Sequence, residues 1–307
     1  MASRLMKILF ITSNRLGDAV ISTGVLDALQ IRYPAAVFTV VCGLVAAGLF
    51  EPDPRCVRVI TLEKRRPDRH WLVIWSACVR TRWFMVVDLR GSLLSLTLRT
   101  RRRLIVKGGR RDGRKIEQLR DALGRHKTPM PRVWTSSQHD KTAEDLLAGG
   151  PWLALGATAN WDGKIWPPER FVALAEGLRR QGMRPVLFYG PGDAEKERAR
   201  PVLEALPEAL DLGGDRSLGE VAALLARCAL FVGNDSGLMH LAAAAGTPTL
   251  GLFGPSRMSE YAPSGTEAFA IAAPGPEGKA SLEDLSVEAV LDVAKAILAG
   301  NAGSFRT

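Results

Sequence analysis

The sequence predicts an α/β protein of two domains, each built on a parallel β-sheet that helices cover. The chain has 307 residues, of which 47% are hydrophobic, and this is enough for two domains with buried cores. Short apolar runs alternate with stretches of helical periodicity, which is the pattern of parallel sheets. Gly149, Gly150 and Pro151 interrupt this alternation. The expected domains are therefore residues 1–149 and 150–285, followed by a terminal helical segment, 286–307.

The first half begins with an apolar strand that leads into a short polar loop. Residues 7–12 have strand length and composition, and residues 13–17 form the loop. The apolar residues that follow recur at helical spacing, so Asp18 falls at the start of a helix reaching residue 32. A carboxylate there is stabilised by the helix dipole, which keeps it ionised and able to accept a proton. The same position is also typical of a helix cap with no other role.

Further strands are predicted at residues 37–42, 57–62 and 85–88. In parallel sheets covered by helices, ligands bind beyond the carboxyl ends of the strands. The Asp18 loop and the loop 88–92, which contains Arg90, should therefore both face a ligand-binding cleft. Between them, Trp71, Ile74, Trp75, Cys78 and Val79 share one helical face. That face suits either a helix packed on its own sheet or an amphipathic helix at a membrane surface.

Charge is unevenly divided along the chain. Residues 1–149 hold 27 Lys and Arg against 13 Asp and Glu, whereas residues 150–307 hold 14 against 19. The first half should therefore attract a polyanion, such as an anionic membrane surface or nucleic acid.

The basic charge is concentrated in residues 99–115, which include Arg101, Arg102, Arg110 and Arg111. Its glycines predict a pliable loop. Such a run contacts an acidic acceptor or a membrane surface, or it only faces solvent. The run lacks the interleaved aromatic residues of single-strand binders, which disfavours nucleic acid as a partner.

Several classes of protein are disfavoured by the sequence. The four cysteines are far apart and form no C-x-x-C pair, so we expect free, mostly buried thiols rather than a zinc site or disulfides. The apolar run 37–50 contains two glycines and is too short to span a bilayer. No secretory signal is recognisable at the start of the sequence, and a cytosolic location is therefore expected.

The second half repeats the alternation. A strand at 152–155 leads through the loop 156–165 to Trp166-Pro167-Pro168 and a helix reaching about residue 181, because proline suits the first turn of a helix. Lys164 in this loop could reach a phosphate, or it could be an ordinary surface lysine. A strand at 184–189 then precedes Gly190-Pro191-Gly192-Asp193. Asp193 is a candidate for hydrogen bonds to ribose hydroxyls and, equally, for a helix cap. Helices follow at about 194–206, 217–228 and 286–298, and the residues after Gly300 are expected to be loose.

Residues 231–256 are the most informative stretch of the chain. A strand ending near Val232, a turn at Gly233, a helix from Ser236 or Gly237 to about Ala245 and a strand at 247–253 are predicted. The free N–H groups and dipole of that helix start make a site for an anion such as a diphosphate. Asp235 and His240 would lie within one turn of the anion. Simple helix capping by residues 234–236, with a structural His240, is the alternative.

Three motifs in this order resemble the donor site of the ADP-heptose:lipopolysaccharide heptosyltransferase family. They are the Gly17-Asp18 pair, Lys164 just before Trp166-Pro167, and Asp235-Ser236-Gly237 with His240. The resemblance implies a GT-B glycosyltransferase, that is, two Rossmann-like domains whose parallel sheets face a central cleft. In such proteins a terminal helix, here within 286–307, often crosses back to the first domain. It implies that Asp18 is the general base and that the donor is bound by a set of residues in the second half. That set is Thr158, Lys164, Asp193, Asp235, Ser236, Gly237 and His240.

The resemblance also implies the reaction, an inverting and metal-independent transfer of heptose from ADP-heptose. The acceptor would be an acidic glycan of the lipopolysaccharide-core type, bound by the basic first half through Arg90, Arg101, Arg102, Arg110 and Arg111. No cofactor is expected, and the sequence contains no D-x-D pair. The enzyme would work in the cytoplasm, in peripheral contact with the inner membrane. Two alternatives stay open: the same fold using another nucleotide sugar, and a non-enzymatic nucleotide- or nucleic-acid-binding protein. An NAD-dependent enzyme is disfavoured because no G-x-G-x-x-G follows residues 7–12.

Overall fold

The structure, a computed structural model, describes residues 5–62, 70–106, 113–124 and 127–307. The chain divides into two compact units, Met1–Trp134 and Thr135–Thr307. The division therefore lies earlier than the expected boundary at residues 149 and 150. The reason is helix α5, Ser137–Leu146, which precedes that boundary in sequence and packs against helix α8, Leu218–Ala226, of the second unit.

The described part of the first unit contains a parallel sheet in the order β3-β2-β1-β4-β5. Its elements in chain order are β1 (Met6–Ile11), α1 (Leu16–Arg32), β2 (Ala36–Gly43), β3 (Cys56–Leu62), α2 (His70–Cys78), β4 (Trp83–Asp88), α3 (Leu94–Thr97), β5 (Thr100–Ile105) and α4 (Lys115–Ala122). The chain moves outward from β1 in one direction and then returns to continue from β4 in the other. This order reverses between β1 and β4, so a ligand crevice is expected beyond their carboxyl ends.

The four predicted strands of the first half are present, and β1 is central because it is apolar on both faces. Ile8, Leu9, Phe10 and Ile11 have no solvent exposure, as expected of a strand covered by helices on both sides. Helix α1 begins at Leu16, two residues before the predicted start at Asp18. Helix α2 packs on the sheet through Ile74 and Cys78, while Trp75, which was assigned to the same face, is exposed.

The first part of the basic run, residues 100–105, is not the pliable loop predicted for the run. These residues form β5, which pairs with β4, and residues 115–122 form α4. The arginines made this strand hard to recognise, but β5 is an edge strand in which Arg101, Arg102 and Arg103 are all exposed, and such a strand tolerates charge. Residues 107–112, with Arg110 and Arg111, lie outside the described residues.

The second unit contains a parallel sheet in the order β11-β10-β9-β6-β7-β8. After α5, its elements are β6 (Trp152–Gly156), α6 (Pro168–Arg179), β7 (Arg184–Leu187), α7 (Asp193–Ala205), β8 (Leu210–Asp211), α8, β9 (Leu230–Asn234), α9 (Gly237–Ala244), β10 (Thr249–Phe253), α10 (Met258–Tyr261), β11 (Ala268–Ala272) and α11 (Val287–Leu298). The order reverses between β6 and β9, which makes their carboxyl ends the second expected crevice.

The last residues of the chain are attached to this sheet and not loose as expected. The terminal helix α11 packs against α6, and its buried residues join the core of the second unit. Arg306 then pairs with Phe269 of β11 in an antiparallel bridge, and its guanidinium lies 2.6 Å from Glu267 Oε1. The backbone N–H of Thr307 donates to Ala268 O at 3.0 Å. These contacts extend the free edge of the sheet, which explains their order.

Gly233 lies inside β9 and does not form the predicted turn. It stands beside Gly156 of β6 in the parallel register, and the Phe231 ring occupies the space that their missing side chains leave. A Cβ at position 233 would lie 2.7 Å from Phe231 Cζ and 2.9 Å from Gly156 Cα. Glycine is needed here because two strands and a buried ring meet, and not because the chain turns.

We expect Gly233→Ala to lower the free energy of unfolding by about 1–3 kcal/mol, as overpacking of a filled core does. Urea denaturation followed by circular dichroism measures this. Gly303→Ala is the matched control, because a Cβ there meets nothing within 4 Å. Equal stability of both variants would contradict the packing argument.

The thiols are free, and Cys42, Cys78 and Cys228 are buried, as predicted, while Cys56 is partly exposed. Burial raises the pKa of Cys42 and of Cys228 to about 12, so these thiols stay protonated and unreactive. None of the helices in the described part of the chain combines the length and the apolar character that crossing a bilayer requires.

Candidate functional site

The carboxyl ends of β6 and β9 bring together most of the predicted donor residues. Thr158 follows β6 by two residues and is buried, and Asp235 follows β9 directly and is also buried. The two strands are neighbours because the sheet order reverses between them. Residues almost 80 positions apart in sequence thus share one edge of the second sheet.

Lys164 lies at this edge and pairs with Asp235. A short 3₁₀ turn, Asp162–Lys164, carries the lysine, and its Nζ lies 2.5 Å from Asp235 Oδ2. The Lys164 side chain is 26% exposed and that of Asp235 is 8% exposed, so the pair is screened from water on the carboxylate side. A lysine held in this way is a positioned point charge, not an ordinary surface lysine.

A second contact from β9 fixes the chain just after Lys164. The backbone N–H of Trp166 donates to Asn234 Oδ1 at 3.0 Å. Trp166 is fully buried, and its Nε1–H donates to Leu285 O at 2.8 Å. The prediction from sequence did not assign Asn234 a role beyond helix capping. No short-range signal could have found this role, because its partner lies 68 residues away.

Helix α9 begins at this edge with Ser236 as its N-cap residue and Gly237 as its first residue. The Ser236 side chain makes no capping hydrogen bond, and its buried Oγ has no hydrogen-bond partner among the described residues. The first N–H groups of the helix have no partner within the helix, and its dipole favours an anion there. Ser236 thus occupies the N-cap position, but its side chain does not cap the helix as the alternative prediction required. His240 is buried in the first turn of α9.

Asp193 lies apart from these contacts, exposed at the first position of α7. Gly192, with φ of 95°, is the N-cap residue, so Asp193 is not the helix cap.

Glu195, a carboxylate on the same helix, was not singled out from the sequence. Its Oε2 accepts from the Gly190 N–H at 3.4 Å, at the end of β7. Burial, and then the hydrogen bond to Asp211, raise the pKa of the nearby Tyr189 to about 12.

In the first unit, Asp18 lies in the first turn of α1, beyond the carboxyl end of β1. Arg15 is the N-cap residue of this helix, so Asp18 does not cap it. Its Oδ2 accepts from Ser13 Oγ at 3.4 Å, a long hydrogen bond. The carboxylate is only partly buried, so it retains lone pairs that could accept a proton.

Arg90 lies next to the loop that leads to Asp18. It follows β4, the neighbour of β1, and its guanidinium donates to Asn14 Oδ1 at 3.0 Å. It also lies over the Trp71 ring, 5.5 Å from the centroid. Asp88 is buried and accepts from the backbone N–H groups of Arg90 and Ser92 at 2.9 and 2.8 Å. Asp88 therefore shapes the loop and holds Arg90 beside the Asp18 loop.

The structure does not bring Arg101 and Arg102 to the same edge. Both lie near the amino end of β5, whereas Asp18 and Arg90 follow the carboxyl ends of β1 and β4. Arg101 lines an open cavity of about 730 Å³ with Met6 and Trp83, the first residues of β1 and β4. Arg102 donates to the Tyr33 hydroxyl at 3.0 Å. The remaining predicted acceptor residues, Arg110 and Arg111, lie outside the described residues.

The second unit can therefore hold an anion with a lysine and the start of a helix, whereas the first unit presents a carboxylate and an arginine at its own strand ends. Among residues 5–62, 70–106, 113–124 and 127–307, no group of three or more His, Cys, Asp and Glu is arranged to hold a metal ion. The independence from metals expected from the sequence remains a prediction.

Comparisons with known proteins found a matching family model, related sequences and similar structures. The family model described as glycosyltransferase family 9 (heptosyltransferase) matches residues 113–289. Lipooligosaccharide heptosyltransferase 2 of Haemophilus influenzae is 41% identical over 106 residues, which are 33% of this chain and 30% of that protein. The chain thus matches under a third of that relative's length.

Two solved structures share the fold over nearly the whole chain. The ADP-heptose lipopolysaccharide heptosyltransferase II of E. coli superimposes with a TM-score of 0.78 at 24% identity, covering 96% of this chain and 99% of that one. The E. coli heptosyltransferase WaaC with ADP gives a TM-score of 0.77 at 21% identity, covering 95% and 100%. At these identities the structural matches establish the fold alone, and they confirm the GT-B type with two Rossmann-like domains.

Proposed function

The chain belongs to glycosyltransferase family 9, the heptosyltransferase family, and we propose from this membership that it transfers heptose from ADP-heptose to an acidic glycan of the lipopolysaccharide-core type. The observation that carries the proposal is the Lys164–Asp235 pair beside the start of α9. This edge of the second sheet brings together a cation, the free N–H groups of a helix start and a carboxylate. The cation and the N–H groups suit the diphosphate of a nucleotide sugar, and the carboxylate suits the sugar hydroxyls.

In this proposal, the donor diphosphate binds Lys164 and the N–H groups of Ser236 and Gly237. The Lys164 ammonium moves from Asp235 to the phosphate oxygens, and Asp235 is released to accept hydrogen bonds from the sugar hydroxyls. The Lys164 ammonium and the positive end of the α9 dipole stabilise the negative charge that develops on the departing ADP, which makes the transfer independent of a metal ion. Thr158, His240 and Asp193 are further proposed donor contacts, Asp193 through the ribose.

The proposed reaction is a single displacement. Asp18 takes the proton of the acceptor hydroxyl, and the oxygen attacks the anomeric carbon of the donor as the bond from that carbon to the ADP oxygen breaks. The configuration at the carbon inverts because attack and departure occur on opposite sides. The new glycosidic bond, ADP and a protonated Asp18 are the products of this step.

The acceptor is proposed to be anionic because the first half of the chain is strongly basic, with 27 Lys and Arg against 13 Asp and Glu in residues 1–149. Arg90 is the best-supported acceptor contact, since it lies beside the loop that leads to Asp18. The cytoplasmic face of an inner membrane that contains anionic lipids and an acidic glycolipid would also attract this basic surface.

Titration of the protein with ADP, UDP and GDP tests the choice of donor. We expect ADP to bind at least about tenfold more tightly than UDP and GDP, a difference of about 1.4 kcal/mol. Transfer from ADP-heptose to a phosphorylated core acceptor should then proceed in the presence of a chelator. Preference for UDP would favour another sugar on the same fold, and binding of none of the three would contradict the proposal.

We expect Asp235→Asn to bind ADP more tightly but to turn over more slowly. The substitution removes the counterion of Lys164, so the ammonium is free for the diphosphate, and the sugar loses a charged acceptor. Calorimetry should show a gain in ADP affinity of roughly threefold or more, and the transfer assay a loss of about tenfold or more. Weaker ADP binding by this variant would contradict the exchange of partners. Asp292→Asn, an exposed substitution on α11, is the control.

A further inference from the structure

Asn234, the last residue of β9, carries a polar amide at a position with no solvent exposure. We propose that this one side chain has two functions, to hold the turn that carries Lys164 and to bind the anionic part of the nucleotide. Its Oδ1 is the positioning group, and its Nδ2 is the binding group. The inference rests on the proposed function, which supplies the anion.

The orientation of the amide follows from its partner. The backbone N–H of Trp166 can only donate, and it lies 3.0 Å from the atom assigned as Asn234 Oδ1. A flipped amide would bring two donors together, so the oxygen must face Trp166. The NH₂ group therefore occupies the remaining position, where it has no hydrogen-bond partner among the described residues.

A buried donor without a partner is costly, and proteins seldom keep one. The cost has a reason if the partner arrives with a ligand. The surroundings indicate what kind of ligand, because the groups near this strand end are mainly donors: the Lys164 ammonium, the first N–H groups of α9 and the Ser236 hydroxyl, whose Oγ also has no partner in the described part of the chain. The carboxylate of Asp235 is already paired with Lys164. An anionic oxygen, such as that of a diphosphate, matches this set of donors.

The positioning function follows from the sequence of contacts along β9. Asn234 binds the backbone of Trp166, and the next residue, Asp235, binds the side chain of Lys164. The two contacts fasten the lysine turn at two points two residues apart. Without the Asn234 contact, the lysine turn would keep one of these two contacts with the end of β9, the Asp235 pair, and the donor itself disrupts that pair. Asn234 thus keeps the lysine in place at the moment when its counterion is exchanged.

Calorimetric titration with ADP separates the two functions. Asn234→Asp keeps an acceptor for the Trp166 N–H and replaces the free donor by an acceptor, whereas Asn234→Ala removes both. We expect Asn234→Asp to weaken ADP binding by about tenfold or more near pH 8, and Asn234→Ala to lower the melting temperature as well. Asn301→Asp, the same change at an exposed position, should leave ADP binding unchanged. Wild-type affinity in Asn234→Asp would overturn the binding function.

The pH dependence provides a readout that a purely structural function would not change. Protonation of the introduced carboxyl turns it back into a hydrogen-bond donor, and an aspartic acid has an ordinary pKa of about 3.9, so the ADP affinity of Asn234→Asp should recover towards that of the wild type between about pH 8 and about pH 4. A constant ratio of the two affinities over this range would contradict the binding function.

A variant at a fully buried position can fail to fold, so the wild-type protein supplies a second measurement. The assigned ¹⁵N side-chain amide resonance of Asn234 should shift when ADP is added, and absence of a shift at saturation would overturn the inference. The proposed function fails separately: a wild type that binds no nucleoside diphosphate removes both claims. A wild type that binds ADP, with an Asn234→Asp variant that binds it equally well, removes only the claim about Asn234.

Discussion

Asp18→Asn is expected to lower the rate of sugar transfer by about 10²- to 10⁴-fold, the usual contribution of a general base. Asparagine has nearly the same shape but cannot take the proton of the acceptor hydroxyl. The folded structure should tolerate the change, because Asp18 is only partly buried and its hydrogen bond to Ser13 is long, 3.4 Å. Losing the favourable interaction of a carboxylate with the start of α1 costs about 0.3–1 kcal/mol of stability.

The binding of ADP separates this effect from damage to the donor site. The proposed diphosphate contacts all belong to the second unit, whereas Asp18 belongs to the first. The Kd for ADP should therefore stay within about twofold of the wild-type value, a change below 0.5 kcal/mol. Asp27→Asn, on the same helix, breaks a partly exposed ion pair with Arg132 and should keep full turnover. Transfer at a wild-type rate by Asp18→Asn would show that the base is another group.

Lys164→Ala is expected to weaken ADP binding by about 10- to 100-fold and to lower turnover by about 10²- to 10³-fold. The substitution removes the positioned ammonium that contacts the diphosphate of the leaving group. The variant also leaves the carboxylate of Asp235, only 8% exposed, without its cation and next to the incoming phosphates. Part of the loss thus comes from repulsion and not from the missing contact.

The double variant Lys164→Ala/Asp235→Asn measures how much of the loss in ADP affinity comes from repulsion by the unpaired Asp235 carboxylate. It should bind ADP more tightly than Lys164→Ala alone, since the unpaired carboxylate is gone, but more weakly than the wild type. Lys141→Ala, at an exposed position on α5, should match the wild type in both assays. An ADP affinity of Lys164→Ala equal to that of the wild type would exclude the lysine from the donor site.

The regular elements that carry the site could be predicted from sequence because their signals are local. The apolar run before Asn234, the helical spacing after Gly237 and the prolines before α6 each lie within a few residues of the element they mark. The positions of Asp18, Lys164 and Asp235 at strand ends followed from the alternation of strands and helices alone.

The features that sequence reasoning missed depend on distant partners. Gly233 and the polar residues that follow it are typical of a turn in sequence. Only the pairing of Gly233 with Gly156 places it inside a strand. The role of Asn234 depends on Trp166, and the position of α5 in the second unit depends on α8. Strand β5 was hidden because its arginines resemble a solvated loop unless it is known that the strand lies at the edge of a sheet.

The crystal structure of this protein with ADP tests the central claim most directly. The account predicts the diphosphate within hydrogen-bonding distance of Lys164 Nζ and of the backbone N–H groups at the start of α9, with the Lys164–Asp235 contact of 2.5 Å broken. ADP bound to the sheet of the first unit, or ADP bound elsewhere with the Lys164–Asp235 pair intact, would contradict it.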